Sequence, residues 1–524
     1  MITLDLPERY NAVTTFVDGH VEAGRADRVA IRYGDEEITY GRVYSMVNRC
    51  GNVLLSLGVE MENRVLLLLP DSPELVYAFF GAMKIGAVPV PVNNRLTAQD
   101  YLYILNDSRA KVLVLAEALL PAIESIRPQL KYLKHALVVG PAPPGYLGFH
   151  ELLSAASPDL DPADTHRDDV AFWLYSSGST GLPKGVVHLH HDWIHCCEFY
   201  AKGVLGITPE DVSLSVSKCF HAYGLGNVLI FPFYVGGCTV LYPDVPRPEP
   251  FLAAAERNRV SLFYGVPTFF ALALAIPDIE KKYPLRHLRL CVSAGEPLPA
   301  AVYTRWKERF GVEILDGIGS TEVLHIYISS RPGRVKPGSC GQPVEGYDVR
   351  ILDDRGRELG LGETGTLWVR GESVTPYFWN KHQKTKAQIV GEWYNTGDRW
   401  HRDEEGYFWY AGRSDDAFKS RGEWVEPVEI ENVLIEHEAV LESGVVGVED
   451  RDGLLKPMAF VVLKPGFAAS ETLADELRAF VRSRLAGYKV PTWIRFVSDL
   501  PKTATGKIQR FRLRDEAAAA RAEA

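Results

Sequence analysis

The sequence predicts an α/β protein: a large N-terminal domain of two packed α/β subdomains plus a small β unit, followed by a small α+β C-terminal domain. Three observations carry this. At 524 residues the chain exceeds what one hydrophobic core supports. Short apolar runs alternate with amphipathic stretches as far as Leu315, and that alternation restarts once along the way. Beyond Gly338 the pattern becomes strand-like with glycine turns, and beyond Gly412 a new mixture of helix and strand begins. The domains are therefore drawn at 1–412 and 413–524.

Thr39-Tyr40-Gly41-Arg42 opens a helix predicted to reach residue 57, with Val43, Met46, Val47, Val53, Leu54 and Leu57 at helical spacing. Val65-Leu66-Leu67-Leu68-Leu69 reads as a buried strand stopped by Pro70. A helix over 73–85, a strand over 87–92, a helix over 98–106 and a strand over 111–115 follow. Strands separated by helices imply right-handed crossovers and a mostly parallel sheet. The polar, proline-bearing residues 157–164 link to a strand at Ala171-Phe172-Trp173-Leu174-Tyr175. Residues 188–200 read as a helix, 212–216, 260–265 and 288–292 as strands, and 230–235 as a further apolar run. Strands at 347–352 and 365–370 make the small β unit. The last unit has helices over 427–437 and 470–485, strands over 441–448 and 458–463, and a fraying tail helix over 516–524.

Composition narrows the function. Hydrophobic residues at 46% and charged residues at 24% are ordinary for a soluble globular chain. A net charge of −10 argues against a large phosphate-backbone interface, so no nucleic-acid partner is expected. The seven cysteines are odd in number and form no CxxC pair, which fits a reducing, cytoplasmic setting. His190, His191, His195, Cys196 and Cys197 cluster in sequence, but adjacent cysteines chelate poorly. Residues 1–20 lack a signal-peptide pattern. The longest apolar stretch, 262–277, is broken by Gly265 and Pro267 and is read as a buried core helix, so no membrane association is expected.

Five polar stretches punctuate this map. Ser176-Ser177-Gly178-Ser179-Thr180-Gly181-Leu182-Pro183-Lys184-Gly185 follows the strand at 171–175. Such a loop can turn several backbone N–H groups toward one anion, and Lys184 adds a charge; the same composition also suits a surface turn. Ser293-Ala294-Gly295-Glu296-Pro297 and Asp316-Gly317-Ile318-Gly319-Ser320-Thr321-Glu322 each follow a strand. Tyr394-Asn395-Thr396-Gly397-Asp398 ends the β unit, and Lys502-Thr503-Ala504-Thr505-Gly506-Lys507 lies near the C-terminus. Singly, each has an ordinary reading as a turn, a cap or a solubilising lysine. Neither a Walker GxxxxGK[ST] pattern nor a GxGxxG occurs.

Together, in identity, order and spacing, these stretches resemble the acyl-adenylate-forming superfamily of acyl-CoA synthetases and adenylation domains, over residues 25–512. The resemblance implies ATP, Mg²⁺ and coenzyme A as cofactors. A carboxylate attacks the α-phosphate of ATP to give acyl-AMP and pyrophosphate, and a thiol then displaces AMP. By that resemblance Ser176, Ser177, Gly178, Ser179, Thr180, Gly181 and Lys184 hold the β- and γ-phosphates, Thr321 bonds the α-phosphate, and Glu322 holds the metal. Read without it, Glu322 is a carboxylate at a helix start. Gly295, Glu296, Asp316 and Gly317 line the adenine slot, Asp398 binds the ribose, and Arg413 contacts the ribose or phosphate. Lys507 neutralises the reacting anions. Asp415 sits at the hinge of a mobile C-terminal domain, whose rotation presents Lys419 and Gly422 to the thiol.

Phe220-His221-Ala222-Tyr223-Gly224-Leu225-Gly226-Asn227 occupies the acyl-pocket position of that family. No aspartate stands there to pair with an α-amino group, and Ala222 cannot bond an ortho hydroxyl. This stretch and Gly319-Ser320-Thr321-Glu322-Val323-Leu324-His325-Ile326 look most like benzoate-CoA ligases, with Ala222, Tyr223, Gly319, His325 and Ile326 shaping an aryl pocket. His325 also suits an ordinary packed histidine. His221, grouped with the catalytic residues, departs from the phenylalanine expected of the benzoate enzymes and leaves hydroxy- and aminobenzoates, or a larger aryl acid, open. The expected partner is thus a small aryl carboxylic acid, with a homodimer as the assembly left open. The alternative is a stand-alone aryl acid adenylation enzyme that loads a carrier protein.

Overall fold

The computed structural model describes residues 4–176, 182–413, 416–420, 423–450, 454–502 and 508–522. Its N-terminal part contains two large sheets. In the first, Val88–Pro91, Arg64–Leu68, Val112–Ala116, His135–Val139 and Leu147–Gly148 lie side by side and parallel. The helices Tyr40–Ser56, Pro73–Lys84 and Ala98–Ser108 fall where the apolar spacing puts them, the first capped by the Thr39 hydroxyl on the Arg42 amide. The second sheet has nine strands, in the order Gln342–Pro343, Ile326–Ser329, Ile314–Gly319, Leu290–Ser293, Leu262–Gly265, Val212–Ser215, Cys238–Val240, Val29–Tyr33, Glu36–Thr39. The hairpin Val29–Thr39 thus crosses to the second sheet, although the helix that follows it in sequence belongs with the first. Its partner, Cys238–Val240, comes from far along the sequence, after the whole first sheet has been laid down.

Three readings change. Residues 262–277 form a strand, Leu262–Gly265, and then a helix, Pro267–Leu274, because Pro267 fixes a helix start rather than interrupting one. His188 is in the strand Lys184–Leu189, which pairs antiparallel with Val170–Ser176; the helix begins only at Asp192. Asp398 does not end the β unit but lies inside the strand Trp393–Arg402, beside a bulge at Arg399 and Trp400, and Phe408–Arg413 pairs beyond it.

The C-terminal part is a three-stranded sheet, Val440–Glu449, Leu455–Leu463 and Trp493–Phe496, packed on the helices Pro427–Glu436, Glu471–Arg482 and Arg510–Ala522. The tail helix is anchored rather than frayed at its start, since Leu513 and Ala517 are buried. Of the buried apolar clusters, three draw on residues from Tyr10 to Phe408 and two on residues from Phe418 to Ala517. A hydrogen bond, Arg399 Nε donating to Glu426 Oε1 at 2.9 Å, joins the two parts.

Candidate active site

One hairpin organises the site. The strands Ile314–Gly319 and Ile326–Ser329 pair antiparallel and carry Asp316, Gly317, Gly319, His325 and Ile326 on or beside them, with Thr321 and Glu322 in the turn between. Ser320 caps that turn, its hydroxyl accepting from the Val323 amide, and Leu324 reverses the chain at φ 75°. A left-handed leucine is costly, and a well-anchored turn is what sustains it.

Beside this turn lies the strand Lys184–Leu189. Lys184 is buried, with Nζ 2.7 Å from Glu322 Oε1, 3.2 Å from Gln388 Oε1 and 3.9 Å over the Phe378 ring. The lysine that the sequence offers as a loop cation is therefore engaged with the predicted metal carboxylate. Burial by itself raises the Glu322 carboxyl, but the Lys184 charge and hydrogen bond outweigh it and hold the group below its ordinary range. Glu322 is thus an ionised carboxylate. At the mouth of the Ser/Gly loop, Ser176 Oγ is buried with no hydrogen-bond partner among the described residues. Ser177, Gly178, Ser179, Thr180, Gly181, Asp415, Gly422 and Lys507 lie outside the described residues, and only the backbone of Arg413 and Lys419 is described.

Gly295, Glu296, Gly317 and Asp398 line one cavity of about 410 Å³. Gly295 has φ 96° and open space where a Cβ would stand, so a side chain there is strained and would project into the cavity. Asp316 sits behind Gly317. Its Oδ2 accepts from the Leu298 amide at 3.2 Å and from the Cys340 thiol at 3.3 Å, and burial pushes its carboxyl up to about 7. The Asp398 amide donates to Thr396 Oγ1 at 3.1 Å, and Asp398 stands opposite Arg413 in the register of their strands.

Sequence reasoning assigned no role to the far wall of this cavity, although Lys502 belongs to one of the five polar stretches. Asp416, Glu431, Lys502 and Arg510 line it from the C-terminal part, and Cys340 and Tyr410 from the N-terminal part. Arg510 donates to Glu431 Oε2 at 2.7 Å and Lys502 to Glu442 Oε2 at 2.6 Å. The available signal was the run Ile508-Gln509-Arg510, next to the Lys502–Lys507 motif.

The predicted acyl residues also converge. Ala222 opens the short helix Ala222–Leu225, with His221 as its N-cap residue in edge contact with Phe220 at 4.5 Å. The Tyr223 hydroxyl donates to the Gly265 and Val292 carbonyls, both at 3.2 Å, which fixes its ring. His325 is buried, donates from Nε2 to the Tyr223 carbonyl at 3.4 Å, and has Tyr200, Tyr223 and Phe231 rings around it at 5.2, 5.7 and 4.6 Å. Burial holds its imidazole down to about 3, so it is neutral at ordinary pH. A Cβ on Gly319 would stand 2.6 Å from the His325 carbonyl, and one on Gly226 would stand 2.5 Å from the His325 ring. Tyr200, Phe231 and Gly226 are additions to the sequence-based set.

The AMP-binding enzyme family matches residues 19–379, and the AMP-binding enzyme C-terminal domain matches residues 429–507. The chain belongs to the AMP-binding enzyme family. Among the relatives of this AMP-binding enzyme, a benzoate–CoA ligase of Thauera aromatica is 48% identical over 98% of this chain and 97% of its own length. A solved anthranilate CoA ligase in complex with anthranoyl-AMP superposes with a TM-score of 0.96 at 44% identity, covering 99% of each chain. A benzoate CoA ligase from Burkholderia xenovorans LB400 gives 0.90 at 43%, covering 96% of this chain and all of its own (100%). Among the described residues, no helix is long and apolar enough to cross a membrane, and no group of three or more His, Cys, Asp or Glu is placed to hold a metal.

Proposed function

We propose that this AMP-binding enzyme is an ATP-dependent aryl acid–CoA ligase that activates benzoate or a close analogue as aryl-AMP and passes it to coenzyme A. The observation that carries the reading is the uncharged aromatic cage of Tyr223, Tyr200 and Phe231 around a neutral His325, on the same hairpin that bears Thr321 and Glu322. A flat ring is held by offset and edge contacts, and the stretch 220–227 carries no carboxylate to pair with an α-ammonium.

In the first step a carboxylate oxygen attacks the α-phosphorus and pyrophosphate leaves. Two anions must meet, so donors and cations aimed at the developing charge supply most of the rate. Thr321 donates to the α-phosphate, Lys507 spans the carboxylate and that phosphate, and the Ser/Gly loop holds the leaving pyrophosphate. Gly295, Glu296, Asp316 and Gly317 seat the adenine, Asp398 the ribose, and Arg413 the ribose or phosphate. A single ionised carboxylate, Glu322, suits Mg²⁺, which takes one or two protein carboxylates and completes its shell with water and substrate phosphates. Bound there, the ion would neutralise phosphate charge; Lys184, 2.7 Å from the same carboxylate, would add a second cation beside it.

In the second step the thiol sulfur attacks the acyl carbon, loses its proton, and AMP leaves with the former carboxylate oxygen. The C-terminal domain, taken as 413–524, turns about Asp415 between steps, withdrawing Lys507 and bringing Lys419 and Gly422 to the thiol. The seven cysteines are all buried free thiols, which supports a cytoplasmic setting.

Pyrophosphate release with benzoate, with and without coenzyme A, tests this. Benzoate-dependent release and thioester formation are expected. No release would overturn the substrate class, and AMP formed without an acyl-CoA product would favour carrier loading. The anthranoyl-AMP complex makes 2-aminobenzoate the first analogue to compare.

A further inference from the structure

All three carbonyls of the turn Thr321–Val323 are held by groups from outside the hairpin. Val323 accepts from the Ser373 hydroxyl at 2.8 Å, Glu322 from the Thr375 amide at 2.7 Å, and Thr321 from His188 Nε2 at 2.7 Å. His188 lies four residues beyond Lys184 in one strand, so both point to the same side. Lys184 takes the Glu322 carboxylate and His188 takes the Thr321 backbone.

A carbonyl only accepts, so Nε2 carries a proton. The other ring nitrogen, Nδ1, is 2.7 Å from Asp192 Oδ2, and both side chains are buried, at 0% and 1% exposure. Asp192 is held in turn through Oδ2, which accepts from the Leu189 amide at 3.1 Å; Oδ1 lies 3.1 Å from His191 Nε2 but makes no hydrogen bond among the described residues. Phe172 stacks on the His188 ring at 5.2 Å and 19°. The imidazole therefore has fixed partners at both ends and a fixed plane.

We infer that His188 is a positioning residue for adenylation, with Asp192 orienting it. The histidine meets no substrate. It fixes the Thr321 backbone, and hence the direction of the hydroxyl that donates to the α-phosphate. This rests on the proposed role of Thr321. The Thr321 carbonyl also accepts from the Leu324 amide at 3.1 Å inside the turn, so His188 is its one tie to the neighbouring strand; losing it frees the turn to shift, and a misplaced donor costs rate rather than ground-state binding.

Two amide substitutions separate the ends of the ring, since a glutamine nitrogen falls near Nε2 and an asparagine nitrogen near Nδ1. Aryl acid-dependent ATP–pyrophosphate exchange is measured on wild type, His188→Gln, His188→Asn and Thr321→Ala, with thermal melting of each. The expectation is that His188→Gln stays within about threefold of wild-type kcat. His188→Asn loses about tenfold or more in kcat with KM for ATP within threefold, at a melting temperature equal to that of His188→Gln. Should His188→Asn not fold, His188→Phe takes its place, keeping the stack on Phe172 without a donor. Equal loss in both His188 variants, no loss in either, or a loss confined to KM for ATP overturns the inference. Thr321→Ala separates the two claims: if it retains kcat, the Thr321 role fails and the inference with it. If it loses kcat while His188→Asn does not, the inference alone fails.

Discussion

Gly226→Ala probes the aryl pocket without touching the ATP side. Gly226 sits in helical backbone at φ −59°, ψ −50°, so alanine brings no backbone penalty. Its Cβ, however, would stand 2.5 Å from His325 Cδ2 and 2.7 Å from Nε2, where ordinary contact begins near 3.4 Å. The imidazole must retreat by about 1 Å to regain contact distance. Tyr200, Tyr223 and Phe231 surround it, so the displaced ring presses on Tyr223, which is proposed to wall the aryl pocket. Overpacking of this kind costs about 1–3 kcal/mol. Charged against the bound acid, that is a rise of roughly five- to 150-fold in KM for benzoate. Steady-state kinetics with benzoate and ATP varied in turn provide the assay, with KM for ATP expected to stay within twofold. An unchanged benzoate KM, or an equal rise for ATP, would refute the placement of His325 at the acyl pocket.

Three further outcomes follow from the same geometry. Lys184→Met leaves Glu322 buried without its cation and should cost about 3–5 kcal/mol, read from urea unfolding midpoints; a loss under about 1 kcal/mol would mean the pair is solvated. Burial lifts the Asp316 carboxyl from 3.8 to about 7. Between those values the folded state holds the proton and the unfolded state does not, so stability falls as pH rises through that window. Asp316→Asn removes the effect, and its melting temperature should gain on wild type from pH 5 to 8; parallel curves would contradict the assignment. Lys507→Ala should abolish adenylation while thioester formation from supplied benzoyl-AMP remains largely intact, and equal loss of both half-reactions would contradict the rotating domain.

Local signals were legible where chemistry is local. The helix capped by Thr39, the apolar strands near Leu66 and Leu113, and the order of the five polar stretches all rest on neighbours in sequence. Long-range pairing was not. Lys184 reads as a loop cation because nothing near it reveals that Glu322 will neutralise it. His188 reads as the start of a helix because the histidine-rich run continues into one, yet it pairs across to Phe172 in a strand. Asp398 reads as a strand end because glycine precedes it, whereas a bulge lets the strand continue. The cavity wall from Asp416, Glu431 and Arg510 depends on how two independent cores meet, which no sequence window contains.

The central claim is that an aryl acid becomes its coenzyme A thioester at this site. A competition assay tests it most directly. Benzoate, 2-aminobenzoate, 4-hydroxybenzoate, cinnamate and hexanoate are supplied together at equal concentration with ATP, Mg²⁺ and coenzyme A, and the thioesters are quantified by mass spectrometry. Benzoyl-CoA or a ring-substituted benzoyl-CoA should dominate, with hexanoyl-CoA lower by about two orders of magnitude. Predominant hexanoyl-CoA or cinnamoyl-CoA, or no thioester at all, would contradict it.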